Sequence, residues 1–173
     1  MTAADSPFDN ARPRPVPSVL DTLRARIDPD DSDAAVFALE AVVADLGYGD
    51  VRALPGSIAW IDRLRSEGKK IALVYDGENA AAALEIAGIA DRFDAVVSGP
   101  RKEKTIRRAL EELDVSPERS LVVDVAPAGL AAGSEAGCRL AIALARGSAT
   151  PQQLRQAGAG AVVADLQELL GPT

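Results

Sequence analysis

Few residues in this chain can do chemistry, and their types narrow the choice. No histidine occurs among its 173 residues. That removes serine–histidine triads, cysteine–histidine dyads, imidazole-ligated zinc and histidine acid–base catalysis. The single cysteine, Cys138, can form neither an internal disulfide nor a paired-thiolate metal site, and reads as a small buried residue after a helix end. The acidic stretch Asp28-Pro29-Asp30-Asp31-Ser32-Asp33 carries many oxygens but lacks calcium-loop spacing. Its sixth position is Asp33 rather than Gly and its twelfth is Leu39 rather than Glu. A basic run, Arg101, Lys102, Lys104, Arg107 and Arg108, either gathers a phosphate or forms a solvated helix face paired with Glu103, Glu111 and Glu112. The second reading is preferred, because such pairs recur at helical spacing.

Composition bounds the partners. Hydrophobic residues make up 47 % and charged residues 26 %, ordinary for a globular protein. Nineteen basic against 26 acidic residues leave a net charge of −7, unsuited to a phosphate backbone. Three Phe, two Tyr and one Trp are too few for a base-stacking surface, so nucleic acid is not an expected partner. No segment is apolar over the roughly 20 residues that span a bilayer, and Met1 to Asn10 has no secretory pattern. A membrane is therefore not expected either, and a cytoplasmic location is.

The elements that must position any site follow from hydrophobic runs. Ile71–Tyr75, Ala95–Val97, Leu121–Val123, Leu140–Leu144 and Ala161–Ala164 are short and Val/Ile/Leu-rich, as in parallel strands buried on both faces. Helical patterns lie at Ser57–Ser66, Glu78–Ala87, Glu103–Leu113, Pro127–Ala136, Pro151–Gln156 and Asp165–Leu170. A further short helix is expected at Ser18–Ile27, after a proline-rich, disordered or extended arm at residues 1–17. The alternation predicts an α/β, doubly wound parallel sheet in a single core domain over residues 18–173, with ligands at the carboxyl ends of its strands. Residues 33–46 are ambiguous. Periodicity, with Val36, Leu39, Val43 and Leu46 on one face, and propensity both favour a helix there.

Three stretches resemble the haloacid dehalogenase superfamily, nearest its β-phosphoglucomutase-like branch. They are Leu54-Pro55-Gly56-Ser57 leading to the strand that ends at Tyr75, Asp91-Arg92-Phe93-Asp94-Ala95-Val96-Val97-Ser98-Gly99, and Leu110 through Asp124 continuing to Cys138. The resemblance implies a Rossmannoid sheet and reverses the reading of residues 33–46. Phe37-Ala38-Leu39-Glu40-Ala41-Val42-Val43 falls in register with the family's Phe-Asp-x-Asp-Gly-Val-Val, so Ala34–Leu39 becomes the central strand.

On that register Ala38 stands where the family has its nucleophilic aspartate, and Glu40 where it has its acid/base aspartate. Tyr75, followed by Asp76, replaces the phosphate-binding hydroxyl. Asp76-Gly77 resembles a phosphatase Asp-Gly but reads as a strand-to-helix turn. The family's lysine position falls on Pro100, with Arg101, Lys102 and Lys104 close enough to substitute, and Lys102 is taken as the substitute. Asp124 matches the first magnesium-binding acid and Val125 replaces the second. Asp124 is thus a candidate metal ligand, although a structural role bonding helix-start amides is preferred.

The resemblance with these departures implies a vestigial pocket of Ala38, Glu40, Tyr75, Asp76, Lys102 and Asp124, with no catalytic residue and no cofactor. The expected function is a catalytically inactive, haloacid dehalogenase-like binding or regulatory module. The alternative is a weak magnesium-dependent phosphatase. The short connection from Asp45 to Leu54 leaves the helical cap absent or vestigial, and an open strand-end face suits a protein partner. The ending from Gln153 to Leu166 also resembles, more weakly, the close of the non-catalytic N-terminal domain of mycobacterial trehalose-6-phosphate phosphatases.

Overall fold

A computed structural model describes residues 31–44, 50–77 and 80–170. Six strands form one parallel sheet: β1 (Ala34–Ala38), β4 (Lys70–Tyr75), β5 (Ala95–Ser98), β6 (Ser120–Asp124), β7 (Leu140–Leu144) and β8 (Ala161–Val163). Their order is β5-β4-β1-β6-β7-β8, so β1 sits mid-sheet, hydrogen-bonded to β4 and β6. Sequence-expected strand ends move by at most one residue.

Residues 33–46 are therefore not one helix. β1 is followed by a 3-10 turn over Leu39–Ala41 and a two-residue strand, β2 (Val43–Ala44). The physical reason is burial on both sides. Ala35 and Phe37 enter one core, and Ala34 and Val36 enter the other. A strand sends alternate side chains to opposite faces, as this requires. Tertiary burial overrides the local helix preference of alanine.

Helices cover both faces. α1 (Pro55–Ser66) and α2 (Ala80–Ala87) pack Trp60, Ile61, Leu64 and Leu84 against the Phe37 side. α3 (Glu103–Leu113) and α4 (Pro127–Ala136) pack Ile106, Leu110, Leu113 and Ala132 against the Val36 side. α5 (Pro151–Gln156) buries Leu154 beside Ala141 and Ala143 of β7, and opens with a capping box between Thr150 and Gln153. α1 starts two residues before the expected Ser57, because Pro55 fits the first helical turn, where no amide donor is needed.

The helix expected at Asp165–Leu170 is instead a 3-10 turn over Leu166–Leu170. Side chains satisfy its amides locally. Glu168 accepts from the Ala164 and Asp165 N–H groups, and Asp165 accepts from that of Gln167.

β2 pairs antiparallel with β3 (Arg52–Ala53), Ala44 opposite Arg52. Only residues 45–51 join them, too short a stretch for a helical cap. The proline-rich arm and the Ser18–Ile27 helix lie outside the described residues. Among the described residues no helix is long and apolar enough to cross a membrane.

Candidate functional site

The carboxyl ends of β1, β4 and β6 and the loop between β5 and α3 enclose one cavity. Ala38, Glu40, Tyr75, Asp76, Arg101 and Asp124 are among its lining residues. Ala38 ends β1 with its methyl buried, and Glu40 lies in the following 3-10 turn. Tyr75 ends β4 and turns into Asp76, while Asp124 ends β6. The free space amounts to about 20 Å³, enough to admit water.

Arg101 dominates the arrangement. Its Nε donates to Asp124 Oδ2 at 3.1 Å and its Nη2 to Glu40 Oε2 at 2.6 Å. One guanidinium thus bridges two carboxylates brought from positions 61 and 23 residues away. The other Asp124 oxygen, Oδ1, accepts from the Val125 N–H at 2.6 Å and the Ala126 N–H at 3.1 Å. Those amides lead into α4, so Asp124 anchors a helix start.

The charges respond in opposite ways. Burial raises the Asp124 carboxyl above the ordinary aspartate value, and the Arg101 guanidinium and the two amides pull it back only in part. Burial also works against the Arg101 charge. The Asp124 carboxylate, then Glu40, outweighs it and holds the guanidinium above its usual value, with Asp76 adding to the effect.

Lys102 does not line this cavity. It is the N-cap residue of α3, and its N–H bonds back to the Pro100 carbonyl at 2.7 Å, closing a tight turn at Arg101, whose side chain enters the cavity. Lys102 and Lys104 border a separate open groove between α3 and α4. Of the remaining basic run, Arg107 pairs with Glu103 at 3.5 Å and Arg108 donates to the Ser98 carbonyl. The expected pairs to Glu111 and Glu112 are absent among the described residues. Cys138 is only partly buried, packed against the Val36-side core, and burial pushes its thiol up.

Two lining residues escaped sequence reasoning. A Cβ on Gly129 would collide with the Asp124 carboxylate, so only glycine lets α4 start so close to β6. Thr105 is buried beneath Gly99, whose own Cβ would lie 2.6 Å from the Thr105 Oγ1. The signal for Gly129 was a glycine five residues after a strand-end aspartate. Thr105 had none.

A divalent cation does not fit these residues. One Asp124 oxygen is spent on two amides and the other on Arg101, and the neighbouring Val125 side chain is a hydrocarbon. Among the described residues no three acidic, thiol or imidazole groups are arranged so that they could hold a metal ion. Mg²⁺ calls for near-octahedral oxygen donors at about 2.0–2.1 Å.

The model of the haloacid dehalogenase-like hydrolases matches residues 11–137. A β-phosphoglucomutase of Mycobacterium bovis is 30 % identical over 162 residues, which cover 82 % of this chain and 62 % of that protein. A candidate β-phosphoglucomutase structure from Thermotoga maritima aligns with TM-score 0.70 at 18 % identity, over 80 % of this chain and 96 % of that one. A haloacid dehalogenase-like family protein from Streptococcus pneumoniae aligns with TM-score 0.67 at 12 % identity, over 82 % and 98 % of the two chains. The chain thus spans about three fifths of the curated relative it matches and nearly the whole of these two structures. At such identities the structures show a shared Rossmannoid fold.

Proposed function

We propose that this chain, which belongs to the haloacid dehalogenase-like hydrolase family on its β-phosphoglucomutase-like side, is a non-hydrolytic member that acts as a binding or regulatory module. The observation that carries this reading is Ala38. Its methyl ends the central strand beside Glu40 and Asp124, where the resemblance calls for an aspartate that attacks phosphorus. A methyl group has no lone pair to offer.

Three further features support the reading. The cavity is narrow, with about 20 Å³ of free space. Its lining carries the carboxylates of Glu40, Asp76 and Asp124 against the single guanidinium of Arg101, a balance that repels a phosphate dianion. The connection between β2 and β3 is too short to roof the strand ends with a cap. An open face of this kind suits a protein partner better than a small sugar phosphate.

The test is turnover of p-nitrophenyl phosphate and a panel of sugar phosphates, with and without Mg²⁺, by the full chain. The expected result is no release of phosphate above the buffer rate. Turnover near roughly 1 s⁻¹, the lower end of the usual enzyme range, would favour a weak phosphatase instead. Replacement of Glu40 and of Asp76 by alanine would then show which carboxylate takes part.

A further inference from the structure

We propose that Arg101 is a tethered counter-cation: its guanidinium stands between Glu40 and Asp124 in the role a divalent ion would otherwise fill, so this site neither needs nor takes Mg²⁺. The inference deepens the reading above and rests on it for the identity of the site, though not on the absence of turnover.

Two carboxylates that face one another across a small cavity repel unless a cation lies between them. Here that cation is part of the chain. The 3.1 Å bond to Asp124 and the 2.6 Å bond to Glu40 leave from different nitrogens of one planar group. A guanidinium keeps its charge at every working pH and holds two partners in a fixed geometry. Burial reinforces the arrangement. The Asp124 side chain is 3 % exposed, and that of Arg101 is 30 % exposed.

A metal ion entering from solution must displace a group attached to the same domain. A tethered ligand competes at an effective concentration set by the chain rather than by the solution. The ion must also win Asp124 Oδ1 from the amides of Val125 and Ala126. It gains no second acid at position 125 in return. The guanidinium therefore wins, and the fold is indifferent to divalent cations. Taking the guanidinium away reverses this. Glu40 and Asp124 then face each other uncompensated, and a divalent ion becomes the best available neutraliser.

The test is thermal unfolding of the full chain, read by Trp60 emission, in millimolar MgCl₂ against NaCl of equal ionic strength. Wild type, Arg101→Met and Arg101→Lys are compared. Wild type is expected to keep its Tm within about 1 °C in either salt. Arg101→Met should fall by about 5 °C, in line with the Tm sensitivity of a domain this size, and recover part of that loss in MgCl₂. Arg101→Lys should stay Mg²⁺-indifferent, since it retains the charge. A saturable, EDTA-reversible rise of the wild-type Tm with MgCl₂ would overturn the inference, as would an Arg101→Met variant with unchanged Tm and no Mg²⁺ response. Should Arg101→Met not fold, calorimetric titration of MgCl₂ into wild type decides: no saturable heat supports the inference, and saturable heat overturns it. Wild type that binds Mg²⁺ without turnover sinks this inference alone. Mg²⁺-independent turnover sinks the non-hydrolytic reading alone.

Discussion

Gly129 of α4 lies against the Asp124 carboxylate so closely that no side chain could share the space. The glycine permits the carboxylate, and the carboxylate in turn bonds the amides that lead into the same helix. Gly129→Ala should therefore destabilise the domain by about 1–3 kcal/mol through overpacking. Urea unfolding measures it. Because the clash is with Asp124, combining Gly129→Ala with Asp124→Ala should cost less than the two single changes added together. Strict additivity would show that the helix start moves aside freely.

β4, β6 and β7 were legible because they bury both faces and so read as unbroken apolar runs, Ile71 to Tyr75 among them, whereas the edge strand β5 leaves Val96 and Ser98 exposed. The central strand was not legible from periodicity. Ala34-Ala35-Val36-Phe37-Ala38 favours a helix by composition, and it was the motif register that made it the strand found between β4 and β6. The site was half legible. Ala38, Glu40 and Asp124 fall at strand ends that motif register can find. Arg101 depends on something subtler. Register pointed at Pro100 and left a choice among Arg101, Lys102 and Lys104. The choice turns on the tight turn at Arg101, closed by the Lys102 N–H and the Pro100 carbonyl, and no spacing rule encodes that.

Phe37 meets Trp60 edge-on, ring centroids 5.8 Å apart and planes at 68°. Both are buried, and they join the central strand to α1. Phe37→Ala should cost about 3–5 kcal/mol, the usual range for emptying an aromatic site in a core. Far-UV circular dichroism follows the unfolding. Emission from Trp60, the sole tryptophan, should shift to the red in the folded variant. A loss under about 1 kcal/mol would mean that the core refills the space.

Asp33 and Arg119 pair fork to fork, Nε to Oδ2 and Nη2 to Oδ1, each at 3.0 Å. Hydrogen bonding from Arg119 lowers the Asp33 carboxyl below its ordinary value, with Lys69 adding attraction and a little burial opposing. For an acid lowered on folding, the stabilisation is present above the unfolded value, about 3.9, and is lost as pH falls through the folded one. Asp33→Asn should therefore lower stability at pH 5–8, and the gap to wild type should close as pH drops below about 4. A gap that persists unchanged into strong acid would mean that the ion pair contributes nothing.

Restoring the missing carboxylate should harm the fold and not awaken it. Ala38 is 3 % exposed and faces the cavity that already holds Glu40, Asp76 and Asp124 near one guanidinium. Ala38→Asp adds another negative charge to a site with no second cation. A buried carboxylate without a partner resists ionisation, so its folded-state value rises. An acid raised on folding costs stability above that value and costs less as pH falls and the group takes up a proton. The variant should be less stable than wild type at pH 7, by about 1–3 kcal/mol, and the difference should narrow towards pH 4. It should also release no phosphate from p-nitrophenyl phosphate with Mg²⁺ present. Arg101 still stands between Glu40 and Asp124, and nucleophile, metal and positioning groups act as a unit. Unfolding curves at pH 4, 5.5 and 7 give the first result and a phosphate-release assay the second. Turnover in Ala38→Asp alone would show that Arg101 yields its place and that a single substitution is all that separates this site from hydrolysis.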